Sequence, residues 1–96
     1  MALTFEEEKA ILDTYSKLRK KNIKQDKVNY YYDQAKSRRK VIVRELVKSG
    51  NGYIYVGYLD EYKDKADDRG FININKHINN ENEFRVLIDK VMTSFE

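Results

Sequence analysis

The chain has 96 residues, of which 41% are hydrophobic and 36% charged, and its net charge is +3 at pH 7. This length allows a single domain, residues 1–96, with one core. There is no cysteine and one histidine, which excludes disulfides and multi-histidine metal sites. No apolar run approaches the ~18 residues of a membrane span, and the N-terminus is acidic, unlike a signal peptide. We therefore expect a cytoplasmic protein with no membrane association.

Basic residues are concentrated between positions 19 and 48. This segment holds eleven Lys and Arg against three Asp and Glu, a net charge of +8, and the remaining residues carry −5. Three consecutive tyrosines, Tyr30–Tyr32, lie within it. Basic side chains interleaved with aromatic ones are typical of surfaces that bind polyanions. A run of charge is also typical of an ordinary solvated surface.

The first predicted element is a helix that begins with a capping box. Thr4 and Glu7 have the spacing at which a threonine hydroxyl and a glutamate carboxylate cap the first turn reciprocally. Ile11 and Tyr15 follow at helical spacing. The pattern predicts a helix over residues 4–21.

Residues 26–36 are predicted to form a second, shorter helix. Asp26 is a suitable N-cap, and Val28, Tyr31 and Tyr32 follow at positions i, i+3 and i+4. A strand through the VNYYYD stretch remains the alternative.

The next segment, residues 38–49, fits either a strand or a helix. The strand interpretation rests on residues 51–52, Asn-Gly, the preferred two-residue hairpin turn. It pairs Val47 with Val56 and places basic and aromatic side chains on the other face of the sheet, where they suit single-stranded nucleic acid: Arg44, Lys48, Tyr53 and Tyr55.

The helix interpretation of the same segment begins with Ser37 as N-cap. It ends with Gly50, which can adopt the left-handed conformation that terminates a helix. The KVIV stretch prefers a strand, but intrinsic propensity is often overridden by context.

The remaining elements are a hairpin and a final helix. Two apolar strands at 53–59 and 70–75 flank ten polar residues, which predicts a hairpin over residues 53–75 with an exposed loop. Asn80 then marks the start of a helix over residues 80–95. Its apolar stripe must be buried, against the core or against a second copy, and we expect it to form a homodimer interface: Phe84, Leu87, Ile88, Val91 and Phe95.

The order of these elements resembles a winged helix-turn-helix. More narrowly, ELVKSG, YI and KADDRGFINI resemble the recognition helix and wing of the MarR family, including its staphylococcal SarA-like branch, over residues 38–92. Because of this resemblance, we predict a helix rather than a strand at 38–49. It implies an α+β winged-helix domain with helices at 4–21, 26–36, 38–49 and 80–95 and a β-hairpin wing at 53–75.

This resemblance implies a transcriptional regulator that reads double-stranded DNA as a homodimer. Arginine can contact guanine in a bidentate manner, and lysine anchors phosphate. The recognition helix would supply Arg38, Arg39, Lys40, Arg44 and Lys48, and the wing would supply Lys63, Lys65 and Arg69. Asp67 would orient Arg69 and shape the tip of the wing.

Two other functions remain open. A sheet at 38–75 is similar to the Whirly-like single-strand-binding coactivators, in which case Tyr53 and Tyr55 would stack on bases. The small size and high charge also fit a phage- or plasmid-type protein of a mobile element that inhibits or modulates a host protein partner through its acidic loop, residues 60–68. No nucleophile motif, glycine-rich phosphate loop or metal-ligand cluster is present. We therefore expect neither an enzyme nor a cofactor.

Overall fold

A five-stranded antiparallel sheet with its strands in chain order is the centre of the fold. The structure is a computed structural model that describes residues 3–24, 27–36 and 38–96. The elements follow one another as α1 (Phe5–Asp13), β1 (Arg19–Lys24), β2 (Lys27–Tyr31), β3 (Val41–Leu46), β4 (Tyr53–Tyr55), a 3-10 turn (Asp60–Tyr62), β5 (Phe71–Asn73), α2 (Ile74–His77) and α3 (Glu81–Phe95).

The two faces of this sheet differ. Residues paired across antiparallel strands point to the same face, and one row runs from Tyr30 through Val43 and Ile54 to Ile72. This inner face packs in one core with side chains of α1, α2 and α3. The next row along the strands forms the outer face, and its Tyr55 also packs against the edge of the core.

Helix α1 confirms the capping box but is shorter than predicted. The Thr4 hydroxyl accepts from the Glu7 backbone and the Glu7 carboxylate accepts from the Thr4 backbone. The helix ends at Asp13, and the predicted extension to residue 21 is wrong because residues 19–24 form β1. Ile23 is the only apolar side chain of β1, so a helix continuing there would have almost nothing to bury.

Helix α1 also carries a buried acidic side chain. Glu8 is fully buried, and neither carboxylate oxygen has a hydrogen-bond partner in the described part of the chain. Burial, with a smaller contribution from the charge of Glu7, raises the pKa of Glu8 to about 8. The carboxyl therefore carries a proton over most of the neutral range.

The predicted helix at 26–36 is wrong, and the strand alternative is right for β2. Val28, Tyr30 and Tyr32 are buried at alternate positions, which is the period of a strand with one face in a core. The proposed Asp26 cap lies outside the described residues.

The predicted helix at 38–49 is also wrong, because residues 41–46 form β3 between β2 and β4. Here the strand preference of KVIV prevails. The predicted register is wrong too, since Val43 pairs with Ile54. A wider turn replaces the two-residue one: the Val47 N–H donates to the Asn51 carbonyl at 2.9 Å. The Ser37 cap lies outside the described residues.

A β-bulge in β3 sets which side chains point inward. The register with β2 shifts between the pairs of Val43 and Leu46, and Glu45 within the bulge has a left-handed φ of 55°. The Asn29 side-chain oxygen accepts from the Glu45 N–H at 2.9 Å. The extra residue lets Val43 and Leu46 both be fully buried although they are three positions apart.

The hairpin and the last helix confirm two local predictions. Strands β4 and β5 pair antiparallel, but with three residues each they are shorter than the predicted strands at 53–59 and 70–75, and residues 74–75 begin α2. Helix α3 spans Glu81–Phe95 with Asn80 as its N-cap. The apolar stripe of α3 lies in the core of its own chain. It therefore gives no argument for the homodimer that we expected from it.

The winged-helix prediction is wrong as a whole. That fold is built mainly of helices with a small wing, and here residues 19–46 supply three strands of a larger sheet. Residues 53–75 are the last hairpin of this sheet, and residues 38–48 include no helix. Within the described ranges, no helix has the length and apolar character needed to cross a membrane.

Candidate nucleic-acid interface

Aromatic side chains and arginines share the outer face of the sheet. The register pairs Arg19 with Tyr31, Arg44 with Tyr53, and Tyr55 with Phe71. Each pair brings its two side chains to one face.

The guanidinium groups of this face lie against the aromatic rings. Arg39 is 4.2 Å from the ring centre of Tyr55, and Arg44 is 4.6 Å from that of Phe71. Arg19 lies 4.8 Å from the ring of Tyr31. At these distances a cation is attracted by the ring electrons, and the flat guanidinium covers apolar surface while its N–H groups remain polar.

Tyr55 supports this arrangement and is not an open platform for bases. Its ring makes edge contacts with Tyr58, Phe71 and Phe95 at centroid distances of 5.3, 5.3 and 5.8 Å. A Cβ added to Gly70 would lie 2.7 Å from the ring, so the glycine backbone also contacts it. With Arg39 stacked on it as well, the Tyr55 ring has little surface left for a base.

An open groove of about 550 Å³ lies beside this stack, and we call it the basic groove. None of the residues lining it is acidic. The Tyr58 side chain is 45% exposed, and Arg38 is exposed. The groove combines cations with aromatic surface: Tyr31, Arg38, Arg39, Lys40, Tyr55 and Tyr58.

Backbone hydrogen bonds fix the segment that carries the three cations. The Tyr32 N–H donates to the Lys40 carbonyl at 2.7 Å, and the Lys36 N–H donates to the Phe95 carbonyl at the end of α3 at 3.0 Å. The Lys40 ammonium donates to the Ala35 carbonyl, and its charge also interacts with the Asp33 carboxylate.

Two acidic side chains close to the outer face are held by cations. Asp33 binds Arg19 through two hydrogen bonds of 2.6 and 3.1 Å, and this interaction lowers the pKa of Asp33. Glu45 binds Lys27 at 3.0 Å, which lowers the pKa of Glu45. These ion pairs limit the repulsion that the two carboxylates would exert on an approaching polyanion.

The predicted DNA-contacting residues therefore fall into two groups. Arg38, Arg39 and Lys40 lie together in the basic groove, and Arg44 lies on the outer face next to Tyr53. Lys48 is exposed in the turn after β3, at the other end of the strands from the groove. The three cations that were predicted to lie on the wing are not in the basic groove. Lys63 and Arg69 line a second pocket together with three aspartates, and Lys65 lies 5.8 Å from the ring of Tyr62.

Asp67 shapes the end of the loop between β4 and β5. Its carboxylate accepts from the backbone N–H of Arg69 at 2.8 Å and of Phe71 at 3.0 Å. The bond from Phe71 is the main cause that lowers the pKa of Asp67, assisted by the bond from Arg69 and the charge of Arg44. The contacts of Asp67 are with backbone, and they position the start of β5.

Sequence reasoning overlooked two aromatic members of the groove. Tyr31 was placed only in a helical pattern and Tyr58 was assigned to no site, whereas both line the basic groove. The alternation of β2 was a usable signal, because a strand that buries Val28 and Tyr30 must turn Tyr31 to the opposite face.

The described residues contain no group of three His, Asp or Glu side chains placed to hold a metal ion. The chain was also compared with family models, curated proteins and solved structures. No family model matches it, and no curated protein or solved structure shows significant similarity to it.

Proposed function

We propose that this protein binds single-stranded nucleic acid in the basic groove. The observation that carries the proposal is the Arg39 guanidinium stacked 4.2 Å above Tyr55, in a groove with two further cations and no acidic lining residue. Polyanion binding requires positive charge without nearby negative charge, and single strands add exposed bases that stack on flat surfaces.

Each side chain of the groove has a distinct part in this binding. Arg38 and Lys40 contact phosphates, which gives affinity without sequence preference. Arg39 offers a planar guanidinium that can stack on a base or bind a phosphate through two parallel hydrogen bonds. Tyr58 and Tyr31 offer aromatic surface to the neighbouring bases.

The shape of the site favours single strands over duplex. A duplex reader usually places a helix or a two-stranded ribbon into the major groove. The cations here line a concave groove beside a sheet, and an unpaired strand can splay its bases into such a groove.

The first experiment is a titration of fluorescently labelled 12-mers followed by anisotropy. We expect oligothymidylate to bind more tightly than a duplex of the same length. With three phosphate contacts, the affinity should fall at least about 20-fold between 50 and 200 mM salt. Duplex binding at equal or higher affinity, or no binding to either at 50 mM salt, would overturn the proposal.

Two substitutions test the groove itself. Arg39→Ala and Tyr58→Ala should each weaken binding of the 12-mer about 5- to 100-fold, because each removes a stacking surface. The matched control is Lys76→Ala, which removes an exposed cation from α2 at the opposite end of the sheet. An equal loss in all three variants would indicate nonspecific attraction and contradict the assignment of the groove.

The sugar-phosphate backbone is common to DNA and RNA, so the titration is repeated with oligouridylate. Only RNA offers the 2′-hydroxyl as a hydrogen-bonding group. A tenfold or larger difference between the two oligomers would assign the ligand to the one that binds more tightly.

A further inference from the structure

Strand β1 is an exposed, positively charged edge of the sheet. All six of its residues, RKKNIK, are exposed, and in the described part of the chain β1 pairs with β2 alone. Four of the six side chains are Lys or Arg. Lysines on an edge strand discourage pairing with other chains. They would do so on either face of the sheet, so this role does not explain which face the charges occupy.

The register places two of these cations on the outer face, in line with the basic groove. Arg19 pairs with Tyr31, a residue that lines the groove, and Lys21 pairs with Asn29 in the adjacent row. Lys24 pairs with Lys27 at the far end of the strand. The outer face therefore carries positive charge from the groove to the edge of the sheet.

The cations of this edge differ in their acidic partners. Arg19 is bound to Asp33 at 2.6 Å, and Lys20 lies 3.7 Å from Asp13. Lys21 has no ion-pair partner within 4.0 Å among residues 3–24, 27–36 and 38–96. Its charge is available to a ligand without the loss of an internal contact.

The width of the sheet sets the length of strand that can make both contacts. Strand β4 is three strand spacings from β1, a distance of roughly 14 Å at about 4.8 Å per spacing. A stacked nucleic-acid strand advances about 3.4 Å per nucleotide. The distance thus corresponds to about four nucleotides.

We infer that a bound single strand crosses the sheet from the basic groove to β1, with Lys21 and Arg19 holding the phosphates at its outer end. This inference rests on the proposed function and adds the direction of the bound strand and the size of the site.

The decisive measurement is the salt dependence of binding to octathymidylate for Lys21→Ala, with Lys24→Ala as the matched control. Both variants remove an exposed lysine from the same strand, but Lys24 lies away from the inferred path. We expect Lys21→Ala to reduce the magnitude of the log–log salt slope by about 0.7 and to lower affinity about eightfold at 50 mM salt. Lys24→Ala should leave the slope unchanged and the affinity within about twofold of that of the unaltered protein.

Ligand length gives an independent readout. In competition with the labelled octamer, the affinity of oligothymidylates should rise steeply up to about four nucleotides and then only slightly. Lys21→Ala should weaken the octamer and leave a dinucleotide bound in the groove unchanged.

The possible outcomes separate the two proposals. Equal effects of the Lys21 and Lys24 variants, or a Lys21 effect that is the same for dinucleotide and octamer, would overturn the path to β1 while Arg39→Ala still impairs binding. Loss of any Arg39 effect, or the absence of binding by the unaltered protein, would overturn the groove itself.

Discussion

The two faces of the sheet are made by the same strands but follow different physical rules. The inner row, which includes Val43, Ile54 and Ile72, is almost entirely excluded from water. The outer face places arginines next to aromatic rings, and most of its side chains are half-buried. Where no helix covers a sheet face, guanidinium groups that lie over aromatic rings can shield those rings from water. The outer face therefore keeps part of its aromatic and cationic surface in contact with water.

The largest effect is expected from the inner layer. Phe84→Ala removes a fully buried ring of α3 and should lower the free energy of unfolding by about 3–5 kcal/mol, because a cavity replaces it. Urea denaturation measures this loss. Val86→Ala in the same helix, at a side chain 45% exposed, should change stability by less than about 0.5 kcal/mol. Similar losses in both variants would contradict the placement of the Phe84 side of α3 in the core.

Glu8 is the exception within the buried layer and should make stability depend on pH. Its pKa is about 8 in the folded state against an ordinary value of 4.5, so the folded protein holds the proton that the unfolded chain releases. The associated destabilisation is absent below about pH 4.5, grows as the pH rises, and is complete above about pH 8.

Substitution of Glu8 tests this pH dependence. Glu8→Gln should flatten the decline in stability between pH 5 and 8, and Glu8→Leu should stabilise the protein at pH 8 by about 1–3 kcal/mol, since a buried polar group without a partner is removed. Thermal denaturation across pH gives both values. A pH profile of Glu8→Gln identical to that of the unaltered protein would refute the assignment.

Gly70→Ala should lower both the stability of the fold and the affinity of the outer face for nucleic acid. Gly70 has a φ of +89°, and the added Cβ would lie 2.7 Å from the Tyr55 ring. We expect a loss of about 1–2 kcal/mol from the backbone conformation and weaker binding of oligothymidylate, because Tyr55 supports Arg39. Asp68→Ala, in the same loop, should alter neither property substantially. Unchanged binding by a folded Gly70 variant would separate Tyr55 from the function of the groove.

The smallest effect is expected from Asp33, whose carboxylate binds Arg19 at the end of the outer face. Asp33→Asn removes a negative charge close to the inferred nucleic-acid path and releases the guanidinium. Affinity for oligothymidylate should rise roughly twofold to fivefold at 50 mM salt and show no gain at high salt. A decrease in affinity would indicate that the ion pair is needed to position Arg19.

The parts of the fold that could be predicted from sequence are those fixed by local signals. The Thr4–Glu7 capping box and the start of α3 at Asn80 depend on side chains within three residues of the backbone groups that they cap. Strands β1 and β2 depend on pairing with neighbours, and the spacing of Val28, Tyr31 and Tyr32 satisfied a helical pattern equally well. A pattern within a few neighbouring residues does not show how strongly a segment would pair with a strand elsewhere in the chain.

The segment 38–49 shows how a structural irregularity can imitate another element. The buried side chains of Ile42, Val43 and Leu46 have helical spacing, yet they lie in a strand. The bulge at Glu45 adds one residue and so converts the two-residue period of a strand into a three-residue interval. A family resemblance then favoured the helix over the intrinsic preference of KVIV.

The residue types of the candidate site could be predicted from the sequence, but their arrangement in space could not. The excess of cations in residues 19–48 and the possible part of tyrosines followed from composition. That Arg38, Arg39 and Lys40 would lie with Tyr31 and Tyr58 around one groove depends on contacts between β2, β3 and the turn after β4. Those contacts join residues far apart in the chain.

The bulge at Glu45 also constrains how this chain can change in length. Deletion of one residue there would remove the bulge and place Leu46 two positions after Val43, so that regular alternation would keep Leu46 on the inner face, where it is now fully buried. A change in length elsewhere in the strand would exchange the faces of the residues beyond it. During divergence, changes in the length of β3 should therefore be confined to the bulge, and other changes in length should accumulate in the charged loop between β4 and β5.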